Sequence, residues 1–310
     1  MTAATLVTCS FAGDWELCRL LCESVDRFVP ESIGHALFVP ARDLRLFADL
    51  ATRRRVIASQ ESLLPGFWKA PLPPPRWREM LGLPRRDIYL TPFSAPVRGW
   101  IAQQIMKIAA AAAAPAEIVV HADSDCVFVR PLLPAHLARG GRARFQAEPV
   151  EAGLASHRPW YEAAARLLGL PEADYYRADY IDQILVWRRS VARGLIDRLE
   201  TVAGRDWRVT LARAPRFAEY VLYGVYAERV IGLDSAGLFR AQGSLCHSRW
   251  AQRIDGSRAE AEFAAALRRD HVACMIQSAI PMPVAARRRL FQRVARLAAR
   301  QDEGRPQAAA

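Results

Sequence analysis

Lysine is almost missing from this chain. Of 43 basic residues only Lys69 and Lys107 are lysine, so the formal net charge of +11 is carried by arginine. That skew reads as a composition bias, which weakens the charge as evidence for a nucleic-acid partner. Cysteine is scarce too. The six present (Cys9, Cys18, Cys22, Cys126, Cys246 and Cys274) form no CxxC pair, which excludes a disulfide scaffold, a zinc knuckle and a thioredoxin-type site. Cys18 and Cys22, one helical turn apart, are expected to pack. The longest stretch of low polarity, Ile101 to Val120, is interrupted by Gln103, Gln104, Lys107, Pro115 and Glu117, so no spanning helix of about 20 apolar residues is expected. The opening MTAATLVTCSFAGDWE has acids where a secretory leader has a basic region and an apolar core. The chain is therefore read as cytoplasmic, soluble or peripheral at the inner face of a membrane. No Walker loop and no GxGxxG occurs, which argues against an NTPase or a dinucleotide enzyme.

What is present is an ordinary globular chain of 310 residues, long enough to bury a sizeable core. Its first part alternates. Thr5 to Ser10 reads as a strand, and Asp14 opens a helix with Leu17, Leu20, Leu21 and Val25 on one face. His35 to Val39 reads as a second strand, Arg42 to Leu50 as a helix and Arg55 to Ser59 as a third strand. That order predicts a parallel α/β sheet. From Gln60 to Pro96 eight prolines forbid any long element, and a loop of that length in a compact domain is usually functional. Arg98 to Ala114 is a strong helix. Glu117 to Ala122 is an apolar run of the kind buried on both faces of a parallel sheet. Further on, strands are expected at Cys126 to Arg130, Arg144 to Ala147 and Ile184 to Trp187. Helices are expected at Pro159 to Leu168, Val191 to Val202 and Phe217 to Val230. Pro283 to Gln301 is a basic amphipathic helix, with a disordered tail from Asp302.

The apolar strand runs into Asp123-Ser124-Asp125. In open α/β sheets ligands bind beyond the carboxyl ends of strands. Two carboxylates one residue apart converge on a hard cation when the backbone turns between them, and the cation in turn bridges the oxygens of a diphosphate. The competing reading is that both aspartates cap the next element or face water.

The order of these parts (VTCSFAGD, the proline-rich middle, RGWIAQQIMKIAAA, then VVHADSDCVFVRPL) resembles a GT-A-fold glycosyltransferase. In more detail it is similar to a largely uncharacterised bacterial glycosyltransferase-like family with a later EY-x-LYG segment, here Glu219 to Gly224. The resemblance covers Leu6 to Trp250. It implies a GT-A-like, Rossmann-like, mostly parallel central sheet flanked by helices. It further implies a catalytic domain over 1–282, with a nucleotide-sugar half at 1–130 and an acceptor half at 131–282, and a basic helix and tail at 283–310. It also implies a UDP-, GDP- or CDP-linked sugar as donor and a glycan or lipid-linked acceptor. Mn²⁺ or Mg²⁺ would be held by Asp123 and Asp125, with His247 of SLCHSRW as the candidate third ligand.

Glycosyl transfer develops negative charge on the departing diphosphate and, in an inverting enzyme, needs a carboxylate to deprotonate the acceptor. Glu219, at a helix amino terminus among aromatics, is the leading base candidate; Asp182 is the second and Asp179 a weaker third. Thr8, Ser10 and Asp14, at the end of the first strand, are candidate nucleotide contacts, each with a plain reading as a helix cap. Gln103, Gln104 and Lys107 share one helical face, which the resemblance makes a donor-site face with Lys107 or Arg98 near the diphosphate; Ser124 belongs to the same loop as the acids. His121 is expected to be a core histidine. Two other classes compete. A haloacid-dehalogenase-like phosphatase also uses D-x-D, but on its first strand. A non-enzymatic basic module would bind membrane or nucleic acid; no specific nucleic acid is expected. Leu290, Phe291, Val294 and Leu297 of the last helix form an apolar stripe with two readings: it packs onto the catalytic domain while the arginines face water, or it lies in an anionic interface as a peripheral membrane contact.

Overall fold

The structure is a computed structural model that describes residues 3–73, 75–83, 87–150, 155–171 and 178–303. The chain begins with β1 (Ala4–Cys9), buried along its whole length. It continues into α1 (Trp15–Phe28), whose apolar face divides between two clusters. Leu21 and Val25 join the main core, while Cys18 and Cys22, both buried free thiols, pack with Leu37, Val39 and Phe47. β2 (Ile33–Val39) and β3 (Arg55–Ser59) follow. The helix expected between them is instead three short turns: Ala41–Asp43, Leu44–Phe47 and Ala48–Leu50. The carboxylate of Asp43 is spent outside its own segment, accepting the Ala12 N–H at 2.9 Å.

The proline-rich stretch is a strap with elements of its own. Trp68–Lys69 and Ile88–Leu90 pair antiparallel, and Ile88–Leu90 pairs in turn with Val97–Arg98. The short helix α2 (Pro75–Met80) lies within it. Then comes α3 (Gly99–Ala113), buried on nearly every side. Its alanines allow close approach, and a helix that is apolar all round belongs in the interior. β4 (Ile118–Ala122), β5 (Ile184–Arg188), α4 (Glu219–Val225) and α5 (Val284–Glu303) complete the frame. The long helix expected at Phe217 to Val230 is α4 continued by a π-helical turn, Tyr226–Ile231, that ends at Gly232 with φ 84°. α4 sits close against its surroundings: Trp187 of β5 stacks on Tyr223 at 4.1 Å, and a Cβ on Gly224 would meet the Tyr180 ring at 2.4 Å.

The central sheet has the order β5-β4-β1-β2-β3. β4, β1, β2 and β3 are parallel, with Leu6 opposite Val120 and Thr8 opposite Leu37. β5 runs the other way, Ile184 facing Ala122. The fold is thus α/β, but the sheet is mixed, and each of the four smaller sheets among the described residues adds an antiparallel pair. Strand order reverses between β1 and β4, so a crevice opens beyond their carboxyl ends. The antiparallel sense of β5 brings its amino end to that same edge.

The last helix takes the packed alternative. Its apolar stripe is not offered to a membrane: Leu290, Phe291, Val294 and Ala298 are buried in a cluster with Val127, Phe263, Leu267 and Ile276. Arg287, 2% exposed, clamps the helix by bonding the carbonyls of Ile276 at 2.5 Å, Gln277 at 3.0 Å and Ile280 at 2.6 Å. Arg289, Arg293, Arg296 and Arg300 stay exposed. The helix runs on through Asp302, whose carboxylate meets Arg130 at 3.1 Å; the rest of the expected tail, 304–310, lies outside the described residues. No helix among the described residues is long and apolar enough to cross a membrane.

His121 on β4 is a core residue, 1% exposed and edge-on to Trp187 at 4.6 Å. Burial, reinforced by the charge of Lys107, lowers its pKa to about 3. The unfolded chain binds this proton below about pH 6.5 and the folded chain only near 3, so the stability contributed is present above 6.5 and lost as pH falls through that window. His121→Phe should therefore flatten the acid limb of stability, recovering about 2 kcal/mol at pH 5 relative to pH 7. Urea denaturation at the two pH values checks this; an unchanged difference between them contradicts it. His35, also lowered to about 3 by burial, keeps its own share in the variant.

Candidate functional site

The crevice between β1 and β4 opens into a cavity of about 450 Å³. β4 delivers the acidic loop to it. The N–H of Cys126 bonds the carbonyl of Asp123 at 3.1 Å, so the backbone turns between the two aspartates and both side chains line the cavity. Asp125 Oδ2 accepts the Ser278 N–H at 2.8 Å from the loop that Arg287 clamps. Ser124 donates its hydroxyl to Asp14 Oδ2 at 3.1 Å, tying the acidic loop to the start of α1. Asp14 occupies the helix N-cap without capping it, because its side chain is turned to Ser124. Burial, then Asp123, pushes the Asp125 carboxyl up to about 7, with Asp14 adding to it; burial likewise raises Asp14. Three carboxylates crowd one place, and a cation would relieve them.

On the opposite wall lies a buried ion cluster. Lys107 of α3 reaches Asp123 Oδ1 at 2.9 Å, Glu219 Oε1 at 3.1 Å and the Tyr220 hydroxyl at 2.8 Å. Lys107 thus pairs with two carboxylates and bonds one phenol, and it brings positive charge to the cavity wall. Glu219 is 4% exposed; burial raises its pKa, and Lys107 opposes that rise. Its backbone N–H is held by Gln104 Oε1 at 2.8 Å, which fixes the first turn of α4 against α3. Gln104 Nε2 is buried without a hydrogen-bond partner among the described residues.

Of the residues singled out from sequence, Ser10, Asp14, Gln103, Gln104, Lys107, Asp123, Ser124, Asp125 and Glu219 come together on this cavity. Four do not. Thr8 lies beneath it, bonded to His35 at 3.1 Å. Arg98 is exposed ahead of α3 and takes no part in the wall. Asp182 is buried behind the wall with Oδ1 on the Gln183 N–H at 2.7 Å, and burial moves it to about 6. His247 faces away. It pairs with Cys274 across its sheet, bonds the Phe263 carbonyl at 2.9 Å and lies over the Phe263 ring, so it is not placed to join Asp123 and Asp125. The weaker candidate Asp179 spends Oδ1 on the Ile181 N–H at 3.0 Å, also outside the cavity.

The cavity also uses residues that sequence reasoning passed over. Gln183 projects from the amino end of β5. Phe11, Trp100 and Trp250 line it while 41, 42 and 44% exposed; Lys69 lies over the Phe11 ring and Trp160 packs beside Trp100. The strap supplies Lys69, Asp87 and Tyr89, with Lys69 paired to Asp87 at 2.5 Å. Both lysines of the chain thus stand in this wall. A lone lysine in an arginine-biased chain was the signal available for Lys69. Gln60 braces the end of β1, donating to the Ser10 carbonyl at 2.8 Å.

A family model described as a family of unknown function, DUF6492, matches residues 3–296, and the chain belongs to that family. No curated protein matches it. Among solved structures it is similar to the galactosyltransferase LgtC in complex with donor and acceptor sugar analogs, at 12% identity and TM-score 0.43 over 96% of this chain and 95% of that one. It is similar also to an active-site mutant of LgtC, at 12% identity and TM-score 0.44 over the same shares. What the cavity does is read from its own geometry.

Proposed function

We propose that this member of the family is a glycosyltransferase of GT-A-like fold that moves a sugar from a nucleoside-diphosphate donor to an acceptor hydroxyl. The observation that carries the reading is the turned Asp123-Ser124-Asp125 loop, set at the switch point of the sheet and facing a cavity lined by partly exposed aromatic residues. Donors of this kind are made in the cytoplasm, where we place the enzyme. Residues 1–130 supply the donor half, and 131–282 the acceptor half.

A divalent cation fits this loop as a shared ion rather than a resident one. Among the described residues no group of three His, Cys, Asp or Glu is arranged to hold a metal. Mg²⁺-type sites need only one or two carboxylates when substrate phosphates and water complete the shell. Asp125 and Asp14, raised first by burial and further by the neighbouring carboxylates, are the groups such an ion would relieve, with Asp123 beside them. When bound, Mn²⁺ or Mg²⁺ would neutralise charge on the departing diphosphate. Everything else falls to the chain. Ser10 and Asp14 take the nucleoside at the end of β1. Glu219 takes the proton of the acceptor hydroxyl in an inverting transfer, held in place by Lys107.

The phosphatase alternative needs its acid pair directly after the first strand, and β1 is followed by Ser10 and Phe11 instead. Calorimetry with UDP, GDP and CDP and their sugars tests the proposal. Binding that is stronger in Mn²⁺ than in chelator is expected for one nucleotide class; equal or absent binding for all three overturns it.

A further inference from the structure

The helix α2 on the strap is turned inside out. Its Arg78 is buried, with Nε on the Pro73 carbonyl at 2.6 Å and a terminal nitrogen on Asp87 at 2.9 Å. Trp77, Met80 and Leu81, spaced i, i+3 and i+4, are 45, 76 and 62% exposed. The Leu81 N–H still bonds the Trp77 carbonyl at 3.1 Å, so the three belong to one helical surface. A helix on a protein surface normally turns such a stripe inward and its arginine outward. Trp68 and Phe93 are 49 and 48% exposed on the same strap. Five of the twelve large apolar side chains exposed among the described residues thus fall between 68 and 93, and such concentration marks an interaction surface.

We propose that the outer face of α2 enters the interfacial layer of an anionic phospholipid bilayer. Three side chains on a turn and a half offer far less than the roughly 800 Å² per partner that a stable protein interface buries. A bilayer asks for less: a few inserted apolar groups, an aromatic at the water boundary, and cations for the headgroup phosphates. In the sequence, Arg76, Arg85 and Arg86 stand within a few positions of Trp77, Met80 and Leu81, with Glu79 the single acid from 76 to 86, in a chain of net charge +11. This is a different element from the last helix, whose apolar stripe is already buried. The inner side of the strap walls the cavity through Lys69 and Asp87, and Arg78 ties α2 to Asp87. Docking would therefore bring the cavity beside the headgroups. That the acceptor is itself held by a lipid rests on the transferase reading; the docking does not.

Co-sedimentation of the full chain with vesicles tests it. Binding is expected to vesicles containing phosphatidylglycerol, and to be weaker to phosphatidylcholine alone and at high salt. Met80→Ser/Leu81→Ser should weaken it about tenfold or more by removing the inserted groups, and Met80→Glu/Leu81→Glu further still. Neither substitution touches the cavity, so the melting temperature and the calorimetric nucleotide binding should match the parent. Nucleotide binding that fails in the parent as well counts against the transferase reading and leaves the docking result standing. No vesicle binding by the parent, or equal binding by both variants, overturns the proposal. So does a concentration-dependent dimer that the same substitutions dissolve, which would make the face a contact between copies.

Discussion

Lys107→Met should destabilise the fold by about 3–5 kcal/mol, because it leaves buried carboxylate charge without its counter-ion. Lys107 is the one cation bonded to both Asp123 and Glu219 among the described residues, and it lies in the interior. Glu219 carries most of the expected loss: its side chain is 5% exposed against 27% for Asp123, which keeps part of its hydration. The double variant Lys107→Met/Glu219→Gln should therefore recover a large part of the stability, by removing the stranded charge as well as its partner. Urea denaturation of the parent, both single variants and the double variant measures this. A loss below about 1 kcal/mol for Lys107→Met would assign the cluster the weight of a surface pair.

Glu219→Gln should lower turnover about 10²- to 10⁴-fold while donor affinity stays close to that of the parent, since a general base acts on the acceptor in the transition state. The pH profile supplies a second readout. Burial raises the Glu219 pKa, so the rate of the parent should climb with pH as this carboxyl ionises, at a pH above the usual carboxylate range. That limb should vanish in the glutamine variant. Turnover within a few-fold of the parent would remove the base role from Glu219, and Asp182 would not inherit it, since it stands behind the wall.

The parts of the site that lie close together in sequence were legible there. An apolar run ending in D-x-D announces a buried strand and a polar turn, and both are where the pattern put them. The spacing of Gln103, Gln104 and Lys107 gives one helical face, and that face meets the cavity. The partners of that face were not legible. Tyr220 bonds Lys107 across 113 positions, and no local period records which helix packs on which. The strap residues Lys69, Asp87 and Tyr89 were hidden for another reason: prolines erase the periodicity from which orientation is read. His247 shows how fine the margin is. Successive strand residues point to opposite faces, so its neighbour Cys246 turns to the main core while His247 turns to Phe263. The last helix was read correctly as amphipathic, but amphipathicity alone does not say whether protein or lipid covers the stripe. Cluster packing around Phe263 and Ile276 answers that here.

The most direct measurement is a calorimetric titration of nucleoside diphosphate sugars into the parent and into Asp125→Asn, each with Mn²⁺ and with chelator. The parent should bind one nucleotide class more tightly with Mn²⁺. Asp125→Asn should lose that difference while melting no lower than the parent without metal, because the substitution relieves repulsion among Asp14, Asp123 and Asp125. A parent that binds equally with and without metal, or an Asp125→Asn variant that keeps the full metal effect, would contradict the assignment of this loop to a diphosphate.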